Sequence, residues 1–271
     1  MGTHLTAFNQ NTHGLSLAAI DVIPDTILTP NSDGTGFQVP PDFSTIAALA
    51  ALGNGITRAQ ITAPSLEEKR EVNEILPRVA SAAKFSLAFP EIYSKQPEIP
   101  LVNTEIMQIL ESDAAGADFQ HYALAWFKAP GALPAAPAGE VQRIRATASV
   151  TLTANEWSLA TIVPDKSIVA GSYSIVNMIA ISANLIAARL LLQNARYRPG
   201  VAGLAATEAL AADFNPKKFA GDDNYLMGTF DNTTFPQVEF LSSVADTSEV
   251  IFLDVIYTGP GAATAPTPTG G

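Results

Sequence analysis

The sequence predicts an all-β fold, arranged as two tandem β-sandwiches with a few short helices. β-Branched and aromatic runs recur along both halves of the chain and are separated by turn-forming residues. A proline- and glycine-rich stretch, KAPGALPAAPAG at 128–139, lies near the middle and predicts a stiff linker. Hydrophobic residues make up 47% of the 271 positions, enough to bury a core in each half without covalent staples.

These observations divide the chain into five segments. Residues 1–14 are interpreted as an irregular polar lead-in, and 15–129 as the first sandwich. Residues 130–139 form the linker, and 140–258 the second sandwich. The low-complexity end GPGAATAPTPTGG predicts a flexible tail over 259–271.

The first half is predicted to contain both strands and helices. Turn residues bound the strand candidates, of which the aromatic-rich DFQHYALAWF is the clearest; they lie at 15–23, 56–63, 83–89 and 118–127. One helix begins at Asp42 or Ser44 and runs to Leu52. A second, SLEEKREVNEIL at 65–76, opens on a Ser65 and Glu68 pair that resembles a capping box. Residues 104–110 are compatible with helix or strand.

The second half is a more regular series of strands. They are predicted at 140–152, 157–163, 172–181, 185–192, 201–204, 237–244 and 249–257. The apolar run 179–193 is compatible with a strand or a helix, because periodicity alone does not separate the two. Asn177, Asn184 and Arg189 interrupt the apolar region 168–192, so it is interpreted as core rather than as a membrane span.

Charge excludes a bulk nucleic-acid binder. The 15 basic and 26 acidic residues give a net charge of -11, and no Lys or Arg precedes Arg58 or follows Lys218. A protein that displaces counterions from phosphates needs clustered basic side chains, which this chain lacks at both ends. The nearest basic cluster is interpreted as solvated turn charges, or as partners of Asp213, Asp222 and Asp223; it comprises Arg196, Arg198, Lys217 and Lys218.

The content of chemically active residues is low, and we assign no catalytic, cofactor-binding or metal-binding residue. The absence of cysteine excludes disulfides and thiolate chemistry. His4 and His13 lie in the polar lead-in, and His121 is interpreted as a surface or interface residue, with Asp118 on the opposite face of its strand.

Two further residue pairs leave alternatives open. Asp222 and Asp223 lie in an acidic turn that offers oxygen ligands to calcium, although a hydrated loop is the simpler interpretation. Trp126 and Trp157 are candidates for a sugar-binding platform, although core packing is the commoner role of a strand tryptophan.

A set of short motifs follows the strand order. They are ITRAQI at 56–61, GSYSIV at 171–176, AARL at 187–190, YRPGV at 197–201, GTFD at 228–231, FPQVE at 235–239 and FLDVI at 252–256. With the paired sandwiches, this pattern resembles the major capsid proteins of tailless icosahedral bacterial or archaeal viruses, which carry two jelly rolls per chain. The resemblance covers about residues 15–258.

The resemblance implies a structural protein of the virion rather than an enzyme, with no cofactor. It implies homotrimers with a pseudo-hexameric outline, which assemble with other capsomers and with minor capsid or vertex proteins. These shells often enclose an internal membrane. The low charged fraction, 15%, agrees with large lateral contacts, because interface cores are depleted in charged residues. The missing basic arm implies no direct contact with the genome.

Two other classes of protein remain compatible with these features. An extracellular fibre or adhesive subunit, or a carbohydrate-binding β-sandwich module, would also be β-rich and acidic. A fibre would assemble as an open chain instead of a closed ring. A carbohydrate-active enzyme would need a solvent-open pair of carboxylates in a groove beside Trp126 or Trp157.

Overall fold

Strands form almost all of the regular structure in this computed structural model, which confirms the predicted all-β class. The structure describes residues 2–10, 15–25, 34–68, 73–75, 77–79, 98–114, 120–193, 195–205 and 225–260. Within them one helix occurs, α1 (Pro64–Glu68). No helix in those ranges combines the length and apolar character needed to cross a membrane.

The first half forms two mainly antiparallel sheets. Its strands are β1 (Thr3–Gln10), β2 (Ala18–Ala19), β3 (Asp21–Val22), β4 (Phe37–Gln38), β5 (Thr45–Gly53), β6 (Ile56–Thr62), β7 (Asn73–Ile75), β8 (Pro77–Val79), β9 (Ile99–Pro100), β10 (Ile106–Asp113) and β11 (His121–Lys128). Sheet 1 has the order β3-β1-β11-β5-β8, with β9 also on β5. Sheet 2 has the order β2-β10-β6-β7, with β4 also on β10.

The second half repeats this arrangement. Its strands are β12 (Val141–Ala148), β13 (Trp157–Thr161), β14 (Val163–Pro164), β15 (Ser172–Ser182), β16 (Leu185–Leu191), β17 (Gly200–Ala202), β18 (Leu204–Ala205), β19 (Gly228–Asp231), β20 (Gln237–Ser242) and β21 (Glu249–Gly259). Sheet 3 has the order β13-β20-β16-β17. Sheet 4 has the order β14-β12-β21-β15-β18, with β19 also on β15.

Both halves share one connectivity. The first long strand of each half pairs with the last, which in turn pairs with a central strand: β1-β11-β5 in sheet 1 and β12-β21-β15 in sheet 4. The remaining long strands form the facing sheet, β10-β6-β7 in sheet 2 and β20-β16-β17 in sheet 3. Two facing sheets with this interleaved order have the jelly-roll architecture. The pairings β1–β11, β2–β10 and β5–β11 of the first half therefore have counterparts in β12–β21, β13–β20 and β15–β21 of the second half.

The sheets are stacked in the order 2, 1, 3, 4. One face of sheet 1 contributes Phe8, Leu49 and Phe127 to the core that it shares with sheet 2. The opposite face contributes Leu5 and Trp126 to a second core cluster, which also holds the buried residues of sheets 3 and 4. Sheet 1 is therefore covered on both faces, and every residue of β5 and β11 is buried.

Residues 3–10 of the predicted irregular lead-in form β1, so that part of the prediction is wrong, while 11–14 lie outside the described residues. β1 lies inside sheet 1, between β3 and β11. β3 pairs only with Phe8 and Asn9 of β1. Nearer the start of β1, the Leu5 amide instead donates a hydrogen bond to the carbonyl of Arg198 in the second half, at 3.0 Å. The polar composition of the segment concealed this role, because partners supplied from distant positions satisfy its buried polar groups.

Two helix predictions are also wrong. The segment ending at Leu52 is β5, whose small apolar side chains lie at every position because both faces of sheet 1 are covered. In the predicted helix 65–76, the described residues are helical up to Glu68, at the end of α1, and form β7 from Asn73. Ser65 does not pair with Glu68 in a capping box, because its amide and hydroxyl donate to the carboxylate of Glu105.

Several other expectations are settled by the sheets. The segment 15–23 divides into β2 and β3, which belong to different sheets. Residues 104–110 lead into β10, and 179–193 cover the end of β15 and all of β16. The predictions at 157–163 and 201–204 each divide between sheets 3 and 4, as β13 with β14 and β17 with β18. The remaining strand predictions of the second half are confirmed with small shifts of their ends. The predicted strand at 83–89 lies outside the described residues.

Candidate functional site

A buried ionic cluster lies between the two halves. The junction cluster, as we call it, consists of His4, Asp25, Arg189, Arg198 and Glu239. Nη1 of Arg189 lies 2.6 Å from Oδ2 of Asp25, and its Nε lies 2.7 Å from Oε2 of Glu239. Nη1 of Arg198 donates to Oε1 of Glu239 at 2.6 Å. All five side chains are buried or nearly so.

The histidine completes this cluster in its neutral form. The backbone amide of Arg198 donates to Nδ1 of His4 at 3.2 Å, which leaves Nε2 to carry the proton. Nε2 lies 3.2 Å from Oδ2 of Asp25. Burial is the largest influence on His4 and lowers its pKa, outweighing the opposing effect of Asp25. Two arginines then face two carboxylates, and the formal charges balance.

The same cluster holds the edge of β1. Nη1 of Arg189 donates to the Leu5 carbonyl at 3.0 Å, opposite the amide that binds Arg198. A Cβ atom on Gly200 would lie 2.6 Å from Cδ2 of Leu5, so only glycine permits this approach. The arrangement is suited to fixing the relative orientation of the two halves, since both arginines, which Glu239 binds within the second half, also contact Asp25 of the first half.

Both tryptophans belong to this junction rather than to a sugar platform. Trp126 is fully buried, and its indole Nε1 donates to the Gly200 carbonyl at 2.8 Å. The guanidinium carbon of Arg189 lies 3.9 Å from the ring centroid of Trp157, a cation–π contact. Trp126 is thus unavailable to a ligand, and the face of Trp157 is covered by Arg189.

A second buried cluster lies at one end of the first sandwich. The end cluster consists of Glu111, Asp113 and His121, with the main chain of Asn54. Nδ1 of His121 lies 3.1 Å from Oε2 of Glu111, and Nε2 lies 3.6 Å from Oδ2 of Asp113. Nε2 also lies 3.1 Å from the carbonyl oxygen of Asn54. The expectation of a surface or interface histidine is therefore wrong, because His121 is fully buried within the chain.

Burial dominates the ionisation of this cluster. It raises the pKa of Glu111 to about 7, against the lowering influence of His121. Outside this cluster, the pKa of Glu249, at the start of β21, is also raised to about 7, mainly by burial and secondly by the charge of Asp246. Perturbed groups of this kind are characteristic of catalytic sites. The side chains of Glu111, Asp113 and His121 have no solvent-accessible surface, however, so no substrate reaches them in this conformation.

The order of residues along β10 indicates the end cluster. Met107, Ile109, Glu111 and Asp113 share one parity along β10, and all four are buried. An acidic residue that continues the apolar face of a strand predicts a buried carboxyl group and a partner for it. That partner, His121, comes from the neighbouring sheet.

The other residues considered from sequence have separate outcomes. Arg198 is buried, so the interpretation of it as a solvated turn charge is wrong. Arg196 is exposed. His13, Asp118, Asp213, Lys217, Lys218, Asp222 and Asp223 lie outside the described residues. Within the ranges that the structure does describe, no group of three or more His, Asp or Glu side chains is arranged to hold a metal ion.

Comparisons with known proteins add little to this description. No family model and no curated protein matches the sequence. The crystal structure of the major capsid protein P2 from Bacteriophage PM2 aligns with 94% of this chain and 98% of that chain, at 12% identity and a TM-score of 0.24. A superposition of that quality carries no weight, so the function proposed below is drawn from the strand order and contacts of this chain.

Proposed function

We propose that this chain is the major capsid subunit of an icosahedral virus shell and assembles as a trimer with a pseudo-hexameric outline. The observation that carries the proposal is the junction between the two halves. Two jelly rolls of the same connectivity are joined through different faces, sheet 1 of one against sheet 3 of the other. Jelly rolls are a common architecture of capsid subunits.

A junction of unlike faces has consequences for assembly. Contacts between unlike faces are heterologous, and repeating them generates a closed ring or an open filament, depending on the rotation. Within the described ranges, no other sheet of the chain packs on the outer faces of sheets 2 and 4, although Ile179 and Ile181 on the latter are buried. If the outer face of sheet 4 meets the outer face of sheet 2 in the next copy, three chains place six sandwiches in one ring.

The outer face of sheet 4 carries exposed apolar groups together with the ion pair of Arg143 and Asp254. Val141 and Val163 are 52% and 61% exposed there. Phe252 and Val250 lie beside them and are half-buried, next to the buried Ile179. Exposed apolar groups gathered on one face are typical of protein interfaces.

The outer face of sheet 2 offers a more polar partner surface. Arg58 and Glu74 form an ion pair across neighbouring strands, and Gln60 lies on the same face. Ile106, at the start of the inner strand β10, is 43% exposed on this face. A polar rim around a smaller apolar centre is usual for an interface of about 1,000 Å² or more.

We extend the proposal to the remaining functional assignments. The sandwiches are two domains with their boundary at 129–140, and the first domain includes β1. The protein resides in the virion, where its partners are further copies and minor capsid or vertex proteins, over an internal membrane or other proteins. It is not an enzyme, in keeping with the two perturbed clusters being closed to solvent.

Light scattering with native mass spectrometry on the purified chain tests the proposal. We expect a trimer, and a hexagonal outline in electron micrographs. Val163→Glu, on the outer face of sheet 4, should dissociate the trimer without unfolding the subunit. Val169→Glu is the matched control, because Val169 is 71% exposed in the loop before β15 rather than on that face. A stable monomer contradicts the proposal, and an open filament favours a fibre subunit.

A further inference from the structure

The turn between β5 and β6 has an unusual sequence and an unusual neighbour. It reads Gly53-Asn54-Gly55 and contains the one Asn-Gly pair of the chain. Gly55 has a φ of 79°, in the left-handed region that favours glycine. Asn54 and Gly55 are partly exposed, whereas the ring of His121 beneath them is fully buried.

The imidazole of His121 is fitted against this turn. A Cβ atom on Gly53 would overlap the His121 ring, so the missing side chain makes the space that the ring occupies. Nε2 then lies 3.1 Å from the carbonyl oxygen of Asn54. Asp113 lies beside the same nitrogen at 3.6 Å and favours a proton there. The ring is therefore poised to donate a hydrogen bond to the Asn54 carbonyl.

Asn-Gly pairs have a characteristic reaction. The backbone nitrogen of the glycine attacks the side-chain amide carbon of the asparagine, and the absent Cβ leaves this approach open. The nitrogen must first lose its proton, and the resulting negative charge is shared with the carbonyl oxygen of the asparagine. A donor already aimed at that oxygen stabilises the charge as an oxyanion hole does.

We propose that Asn54-Gly55 is a self-modification site at which His121 promotes succinimide formation. The nitrogen of Gly55 bonds to Cγ of Asn54 while the bond from Cγ to Nδ2 breaks, and ammonia leaves with the proton lost from Gly55. Water then opens the ring at either carbonyl, which yields aspartate or isoaspartate at position 54. The product places a third carboxyl group near Glu111 and Asp113.

Peptide mapping by mass spectrometry in heavy-oxygen water measures the reaction, because ring opening incorporates one solvent oxygen at position 54. The native chain and the chain unfolded in urea are incubated at the same pH and temperature. A hydrogen bond to a developing charge predicts reaction about tenfold or more faster in the folded chain. An equal or slower rate in the folded chain overturns the proposal, and this comparison needs no variant.

Two substitutions and an internal control refine the test. His121→Phe removes the donor and should lower the folded rate toward that of the unfolded chain, whereas an unchanged rate in a folded variant overturns the role of His121. Asn54→Gln should abolish the product, because attack of Gly55 on a glutamine side chain would have to close a six-membered ring instead of the five-membered succinimide. Asn184, in the turn between β15 and β16, is followed by Leu185 and should stay unmodified over the same period.

Discussion

Arg189 illustrates how burial, rather than residue type, determines how much an ion pair contributes to the stability of the fold. Arg189 binds Asp25 and Glu239 where solvent is excluded, whereas Arg58 pairs with Glu74 on the exposed face of sheet 2. Removing one partner of a buried pair leaves an uncompensated charge, which costs far more than losing an exposed pair.

We therefore predict different costs for two matched substitutions. Arg189→Met should lower the free energy of unfolding by about 3–5 kcal/mol. Arg58→Met should lower it by about 0–1 kcal/mol, because water replaces the lost contact with Glu74. Urea denaturation of both variants measures the difference. Equal losses would mean that the junction cluster is solvated.

Glu111 should make stability depend on pH. Its pKa is about 7 in the folded chain, above the ordinary value of 4.5, so the folded state binds the proton more tightly. The stabilisation is complete below about pH 4.5 and is lost as the pH rises through about 7, to a total of roughly 3 kcal/mol.

The Glu111→Gln variant removes this titration. Urea denaturation between pH 4.5 and 8 should therefore show a shallower fall in stability than in the wild type. Glu249→Gln serves as the parallel variant, because the pKa of Glu249 is raised in the same direction. A Glu111→Gln variant with the wild-type pH profile would refute the assignment of a neutral buried carboxyl group.

At the scale of elements, β1 is the strand whose importance differs most between sequence and structure. It pairs with β11 along eight residues and also bonds to the second half through Leu5. Its loss would uncover β11 and would leave Arg198 and Arg189 without the Leu5 main chain.

Deleting the N-terminal segment tests whether it is an irregular lead-in or an inner strand of sheet 1. Deleting residues 1–10 should prevent cooperative folding of the chain, because sheet 1 would lose an inner strand and the junction would lose His4. Deleting 261–271, predicted from sequence to be a tail, is a control of similar length and should leave the unfolding midpoint unchanged. Circular dichroism during urea denaturation reports both results, and a truncated chain of wild-type stability would contradict the first.

For the whole molecule, the shared core predicts joint unfolding of the two halves. Leu5, Leu124 and Trp126 of the first half belong to the same core cluster as Ile175, Phe240 and Leu253 of the second. Cooperative units follow buried contacts rather than sequence segments. We expect one calorimetric transition whose calorimetric and van't Hoff enthalpies agree. Two resolved transitions would show that the junction is weaker than its burial suggests.

The net charge of -11 predicts negligible affinity for nucleic acid at moderate salt. The burial of Arg198 within the junction cluster strengthens this expectation, because that side chain is neutralised by Glu239. A filter-binding titration with duplex DNA and single-stranded RNA measures it. Tight, salt-sensitive binding that is lost in Arg196→Ala would contradict the prediction.

The sequence by itself determined the all-β class and most strands of the second half. Residues 56–63, for example, alternate as a half-buried strand should, and β6 occupies nearly all of them. The proline- and glycine-rich stretch separates β11 from β12, and between them only an isolated bridge of Ala135 with Tyr225 is formed. These features depend on neighbours in the chain, which a sequence displays directly.

Tertiary structure decided where polar and small residues belong. β5 lacks alternation because both faces of sheet 1 are covered. β1 looks irregular because its partners lie far along the chain, in β11 and, for the Leu5 carbonyl, at Arg189. The buried charges of both clusters are tolerated because each finds a counterpart from another element, such as Arg189 for Asp25. Such pairings arise only when the two halves pack together, and no local pattern encodes them.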